Sequence, residues 1–454
     1  MSFFSIEFFS VFILFFCIYW AFKNHYKTQN YLILLFNYAL ILTFSPHFLL
    51  VILFYTAFIY YSAFFIHYKK TKFALLASVF FAICYLCFFK YYDQIYAEFS
   101  AVLAFFGFES INLQIAFPIG ISFYTFASIT YLTAIYKKEQ KIVSFLTLAC
   151  YLSFFATLVA GPICKSKFLM PQFERKREFK NADLIFTLLI FAAVKKLIIA
   201  SYLGDFVTGV FDDPHSFSFM QILLAINLYG VWLYADFSGY VDIVTALALC
   251  IGFELPKNFD MPYISKNVKE FWQRWHISLS NFIKDYVYIP LGGNRHGEFR
   301  RSLNLLIAFG LSGIWHGVGL NFLIWGLLHG VAVVFLNLTS SWRIKTPFLA
   351  VFLNYLYVSF AWVFFANDKF SDVLNIFKAL GEVRLYSSYS EFVIAVMLCF
   401  LLFFYTKFTN GKERLNLALQ KMPFALKPIV LSALFIAIFT FMPSGIPNFI
   451  YASF

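Results

Sequence analysis

Residues 303–330 read LNLLIAFGLSGIWHGVGLNFLIWGLLHG. The stretch is apolar enough to lie in a membrane, yet its middle is Ser312-Gly313-Ile314-Trp315-His316-Gly317, and an imidazole is a costly group to place in hydrocarbon. If Arg300 and Arg301 mark the aqueous boundary, a rise of about 1.5 Å per helical residue sets His316 roughly 22 Å into a hydrocarbon layer of about 30 Å. That is too deep for the ring to reach water. Burial there favours the neutral imidazole, a base that is already unprotonated. Gly313 and Gly317 leave room for a substrate chain or a neighbouring backbone. A buried histidine satisfied by its neighbours is the alternative reading. His329, in WGLLHG, falls on a different face and reads as structural.

The same character runs through the chain. Of its 454 residues, 61% are hydrophobic and 13% charged, against roughly a quarter charged in soluble domains. The apolar runs are continuous rather than alternating, which selects helices over a barrel. The expected fold is all-α: a polytopic integral membrane protein with about eleven spans, near 3–22, 29–45, 48–67, 73–92, 116–136, 182–211, 217–253, 302–338, 346–366, 388–406 and 426–443, some of them double or broken. Stretches 98–115, 143–164 and 271–291 fit less well. The first reads as interfacial. The second ends in LVAGPICKS, where Gly161-Pro162 breaks a helix, and its basic flanks favour a re-entrant hairpin. Such backbone is tolerated at membrane depth only under cover of protein or a hydrated cavity. No linker, low-complexity tail, inverted repeat or separable soluble domain is visible, so residues 1–454 read as one integral domain.

The formal net charge is +12. Its basic residues sit in short loops, which points to membrane topology and away from nucleic acid. Lys23 and Lys27, then Lys69, Lys70 and Lys72, then Lys137, Lys138 and Lys141, then KSKFLMPQFERKREFK at 165–180 face the cytoplasm by the positive-inside rule. Ser45-Pro46-His47, the stretch with Asp93, Glu98 and Glu109, and Asp212-Asp213-Pro214 fit the other side, so the amino terminus is expected outside. The first run carries Glu7, has no preceding basic residues and lacks a small-residue cleavage site, so it reads as a span rather than a removable signal. Cys84 and Cys87 form a C-x-x-C inside an apolar helix, with no second ligand pair for zinc. No metal or bound cofactor is implied.

Polar residues collect between 195 and 330. Lys195-Lys196, in LLIFAAVKKLIIASY, either snorkel to the cytoplasmic face or line a basic vestibule for an anionic ligand. In YADFSGYVD, Asp236 and Tyr240 lie one turn apart, while Asp242 points elsewhere; Asp236 is a site residue or a structural carboxylate paired with a neighbouring cation. FWQRWHISLSNFIKDYVYIP at 271–290 reads as one amphipathic helix with Trp272, His276 and Ser280 in line, an interfacial helix if periodicity alone decides. Phosphate-loop, H-E-x-x-H and G-x-S-x-G signatures are absent.

Taken together, FPIGISFYTF, AGPICKSKF, the Lys195-Lys196 pair, YADFSGYVDIVTALALCIGFELPKNFDMPYISKNVKEFWQRWHISLSNFIKDYVYIPLGGNR and LSGIWHGVGLNFLIWGLLHG resemble the membrane-bound O-acyltransferase family. The likeness covers about 116–330 and is greatest to the bacterial branch that O-acetylates peptidoglycan, alginate and other envelope polysaccharides; the D-alanyl transferase of teichoic acids is a relative. The terminal spans match only in hydropathy. The resemblance implies that His316 is the catalytic histidine and His276 the second histidine of the site. It implies a tunnel through the helices that acyl-CoA enters from the cytoplasm and the acceptor from the other face. Asp236, Tyr240, Trp275 and Trp315 are expected to contact substrate. Lys195 and Lys196, with segment 165–180, are expected to form a cationic mouth for the phosphates of acetyl-CoA. A separate periplasmic acetyltransferase is the expected partner, an envelope polysaccharide the final acceptor, and the bacterial inner membrane the location. One departure is LIIASYLGDF after the lysines, where relatives place an acid soon after an alanine; here Ser201 follows Ala200 and the first acid is Asp205. A transporter of small anions using Lys195, Lys196 and His316, and a catalytically silent assembly subunit, are the competing readings.

Overall fold

The computed structural model describes residues 3, 5–107, 115–339, 344, 346–382, 405 and 410–443. Among these residues every regular element is helical. Seven helices are long and apolar enough to cross a membrane: 46–69, 72–105, 182–212, 219–250, 320–338, 347–365 and 424–441. The expected span 388–406 lies outside the described residues, save Tyr405. The chain divides into two compact units, residues 1–182 with 247–255 and residues 183–246 with 256–454.

The first unit opens with α1 (Ile6–Ala21), α2 (Tyr26–Leu42), α3 (Pro46–Lys69) and α4 (Lys72–Phe105). Their starts follow from local chemistry. Ser5, Ser45 and Thr71 each turn a side-chain oxygen onto a free N–H of the first turn, and Pro46 sits where no N–H is needed. Helix α4 continues to Phe105, so the first part of the 98–115 stretch extends a long helix instead of forming an interfacial one; 108–114 lie outside the described residues. After α5 (Ile121–Tyr136), the 143–164 stretch forms α6 (Phe145–Ser153) and α7 (Phe155–Leu158), then an irregular return to α8 (Ser166–Phe173).

At nine residues, α6 rises only about 14 Å, too short to cross. Buried Asn37 holds the break at Phe154, donating to Ser153 Oγ at 3.2 Å and accepting from Phe155 N at 3.1 Å. The return strand packs beside α6, where Tyr151 donates to the Cys164 carbonyl at 2.7 Å. A Cβ on Gly161 would lie 1.9 Å from the Ala156 carbonyl oxygen, which is why the turn needs glycine. The hairpin expected from the sequence is therefore present as chain geometry. Arg177 ties the unit together, donating to Tyr19 Oη at 3.0 Å and Asn30 Oδ1 at 2.6 Å while its guanidinium covers the Phe253 ring at 5.0 Å.

The second unit begins with α9 (Ala182–Ala193), which runs through a π-helical turn at Val194–Ala200 into α10 (Ser201–Asp212), followed by α11 (Phe219–Cys250). One expectation changes here. The 271–290 stretch is not one helix: α12 (Val268–Arg274) stops at an extended Trp275, His276 takes a left-handed conformation, and α13 (Ile277–Ile283) starts in a new direction. The 302–338 stretch is two helices, α14 (Gly297–His316) and α15 (Leu320–Leu338), so the break falls directly after His316. The unit continues with α16 (Pro347–Phe365), α17 (Phe370–Gly381), α18 (Gly411–Lys421) and α19 (Lys427–Phe441).

Candidate active site

Helices α14 and α15 fold back on each other with backbones in contact. A Cβ on Gly313 would meet the Phe322 carbonyl oxygen at 2.3 Å, and one on Gly326 would meet that of Phe309 at 2.3 Å. Gly313 thus admits a neighbouring backbone, one of the two uses foreseen for it, whereas a Cβ on Gly317 would meet the Phe322 ring. Asn321, fully buried, donates to the Phe364 carbonyl at 3.2 Å and fixes the turn to the end of α16. His316, the last residue of α14, is 3% exposed. Its ring packs against those of Trp315, Trp325 and Phe365, with centroids 4.5, 5.1 and 5.0 Å away.

His276 is not an interface residue; it is fully buried. Its backbone sits at φ 41°, ψ 54°, a region costly for a side chain of this kind, and the surroundings hold it there. Asp260 N donates to the Arg274 carbonyl at 2.9 Å and Ile277 N to that of Asn258 at 2.9 Å, clamping 258–260 alongside 274–277. Asn258 Oδ1 lies 3.2 Å from His276 Nδ1. Phe237 of α11 packs edge-on to the imidazole at 4.9 Å. Burial pushes the ring's pKa down to about 3, so it is neutral at ordinary pH. An Nδ1–H donated to Asn258 leaves the lone pair on Nε2.

A run of rings joins the two histidines. From His276 it passes through Phe259, Trp275, Trp362 and Trp325 to His316, with successive centroids 6.5, 5.2, 5.1, 5.6 and 5.1 Å apart. Trp275 and Trp315, both singled out in the sequence, belong to this wall.

The lysines behave otherwise than expected. Lys195 and Lys196 are 8% and 2% exposed, so they neither snorkel nor form an exposed mouth. Lys196 pairs with Asp236 and Lys195 with Asp242, and Lys195 also donates to Ser238 at 3.0 Å. Lys412 of α18 shares Asp242. A π turn places adjacent lysines toward adjacent turns of α11, and Gly239 lets the helices meet: a Cβ there would sit 3.3 Å from Ala192 O, Lys195 Cβ and Lys196 N. Asp236 is thus paired with a neighbouring cation, and Asp242 points to the same lysine pair rather than elsewhere. Tyr240, one turn beyond Asp236, is buried.

Three cations line a cavity elsewhere in the unit. A cavity of about 400 Å³ runs between α12, α13 and α14, with Lys269, Lys284, Arg301, Trp272, Phe309 and Ser312 on its wall. Lys269 and Lys284 are exposed. Ser312 precedes His316 by one helical turn. Sequence reasoning missed this cavity because the break at His276, which folds α13 away from α12, has no periodic signature; Trp272 and Ser280 line the cavity while His276 turns onto Asn258.

The profile of MBOAT, the membrane-bound O-acyltransferase family, matches residues 26–367, wider than the 116–330 core that its motifs mark. The peptidoglycan O-acetyltransferase of Helicobacter pylori is 35% identical over 64% of this chain and 62% of its own length. The probable alginate O-acetylase AlgI of Pseudomonas aeruginosa is 34% identical over 67% of this chain and 60% of its own. The teichoic acid D-alanyltransferase of Bacillus subtilis is 28% identical over 56% and 69%. The match spans about three fifths of the first two relatives. With a Trp-His-Gly whose histidine is buried at a helix hairpin, a second buried histidine and this profile match, the chain belongs to the membrane-bound O-acyltransferase family.

Proposed function

We propose that this protein is an O-acetyltransferase of the bacterial cytoplasmic membrane, taking acetyl from cytoplasmic acetyl-CoA and passing it toward an envelope polysaccharide, peptidoglycan or an alginate-like polymer. The observation that carries the reading is the placement of His316: buried at the end of α14, one turn beyond a serine that lines a cavity with three cations on its wall. The names of the relatives support acetyl as the group and a polysaccharide as the acceptor.

The chemistry needs a base and a place for negative charge. An acceptor hydroxyl oxygen attacks the thioester carbonyl carbon while its proton passes to the His316 imidazole. The C–S bond then breaks, and the imidazolium returns the proton to the departing thiolate. The N–H groups of Leu320 and Asn321 at the start of α15, which begins four residues after His316, have no intrahelical acceptor and serve the developing oxyanion. CoA is too polar to cross a bilayer, so a base at depth moves acetyl while CoA stays behind. Loop charges support an outward amino terminus, and a separate periplasmic acetyltransferase completes delivery.

The test is the ester content of the envelope polysaccharide in a deletion strain. Ester-linked acetate should fall, return with the wild-type gene and stay low with His316→Ala. Restoration by His316→Ala would make the protein a silent assembly subunit. Loss of D-alanine esters with acetate intact would assign it to teichoic acid, and loss of neither would favour an anion transporter.

A further inference from the structure

The cavity between α12, α13 and α14 ends in aromatic rings. Trp272 lines it, and the Trp272 ring packs against Phe309 at 5.6 Å, Trp325 at 5.7 Å and His329 at 5.1 Å. Trp325 in turn meets the His316 ring at 5.1 Å. One indole therefore stands between the cavity and the ring that touches the candidate base. Ser312, which also lines the cavity, lies a single turn from His316 on α14, and a thioester entering past Lys269 and Lys284 brings its acyl end against Trp272.

A second observation concerns the polar atoms of this wall. The indole N–H groups of Trp272 and Trp325 and both ring nitrogens of His329 are buried with no hydrogen-bond partner among the described residues. Leaving such groups unpaired is costly, and buried polar atoms in native proteins are overwhelmingly satisfied. A wall built only to fill space would use phenylalanine. The unmatched indole N–H of Trp272 belongs to a residue of the cavity wall, with Trp325 and His329 in the rings behind it, and a thioester carbonyl is an acceptor for an indole N–H.

We propose that Trp272, backed by Trp325 and His329, closes the acyl end of the donor cavity and restricts the donor to short acyl thioesters of acetyl size. The inference rests on the acyl-transfer reading and names the feature that sets its donor. A ring packed against Phe309, Trp325 and His329 has little room in which to yield to a longer chain. Each methylene that a filled apolar pocket must reject costs the larger substrate about ten-fold or more in kcat/KM. Leucine at 272 keeps an apolar wall and removes most of the ring.

The experiment compares acetyl-, butyryl- and hexanoyl-CoA with purified wild-type protein, Trp272→Leu and Trp272→Phe, reading CoA release, and adds the affinity of non-cleavable ethyl and hexyl thioether analogues of CoA. The wild type should favour acetyl over hexanoyl by about a hundred-fold or more. Trp272→Leu should narrow this by at least about ten-fold, mainly through a gain for hexanoyl and for the hexyl analogue, with Trp272→Phe between them. An unchanged preference, or an equal loss for all three thioesters with melting behaviour intact, would overturn the proposal. Analogue affinities are read without turnover, so they decide the length question even for a variant of low activity. If His316→Ala releases CoA like the wild type, the acyl-transfer reading has failed, and a length preference in analogue binding still decides the role of Trp272.

Discussion

The side-chain oxygen of Asn258 lies 3.2 Å from Nδ1 of His276, and it also accepts the Ser278 amide at 3.1 Å and the Ser278 hydroxyl at 2.8 Å. One carboxamide therefore orients a buried histidine whose own backbone is strained. Asn258→Ala should lower turnover by about ten-fold or more, in line with a misplaced acid–base group. Asn258→Asp keeps an acceptor and adds a negative charge, which favours the imidazolium. The acid limb of its kcat profile should consequently move to higher pH than in the wild type. Profiles that superimpose would mean that Asn258 does not govern the state of His276.

His276 packs at the far end of the ring wall from His316, so the two should not be equivalent. His276→Gly, which tolerates the left-handed backbone, should leave measurable thioester cleavage, whereas His316→Ala should leave none above background. Equal and total loss in two folded proteins would instead make them a joint base.

Lys196 and Asp236 form a pair that is almost completely buried. Removing one partner strands a charge, at a cost of about 3–5 kcal/mol, so Lys196→Met and Asp236→Asn should each sharply lower the melting temperature in detergent. The double variant should be less damaged than either single one. Lys412→Gln should be mild, because its side chain is 42% exposed and Asp242 keeps Lys195.

Replacing Lys269 and Lys284 with Gln should raise the KM for acetyl-CoA. The effect should be larger at low salt, since screening weakens exposed charges, and kcat should fall much less because such contacts bind ground and transition states alike. A salt-independent KM in the double variant would remove these lysines from the donor's path.

Most helices could be read from the sequence because lipid-facing and core residues there are alike apolar, and hydropathy reports both. The family and both histidines were legible for a different reason: the Trp-His-Gly and Trp-His motifs keep their spacing in one chain segment. What was not legible depends on contacts between distant segments. Nothing local to Lys195 and Lys196 reveals Asp236 and Asp242 opposite them, and an apolar helix with two lysines looks the same whether they snorkel or pair. Nor does the 3.6-residue periodicity of 271–290 show the break at His276, because the clamp that enforces it comes from Asn258 and Asp260. Trp272 carried no signal beyond its place in line with His276 and Ser280, and only its position at the cavity wall distinguishes it from other aromatics.

The central claim is that His316 is the base for cleavage of an acetyl thioester, and the most direct measurement is the release of free CoA from labelled acetyl-CoA by the purified protein. The account predicts steady release by the wild type, reduced release by His276→Gly, and release at the background rate by a folded His316→Ala. Release that persists undiminished in His316→Ala, or anion flux through the wild-type protein in liposomes without any CoA turnover, would contradict it.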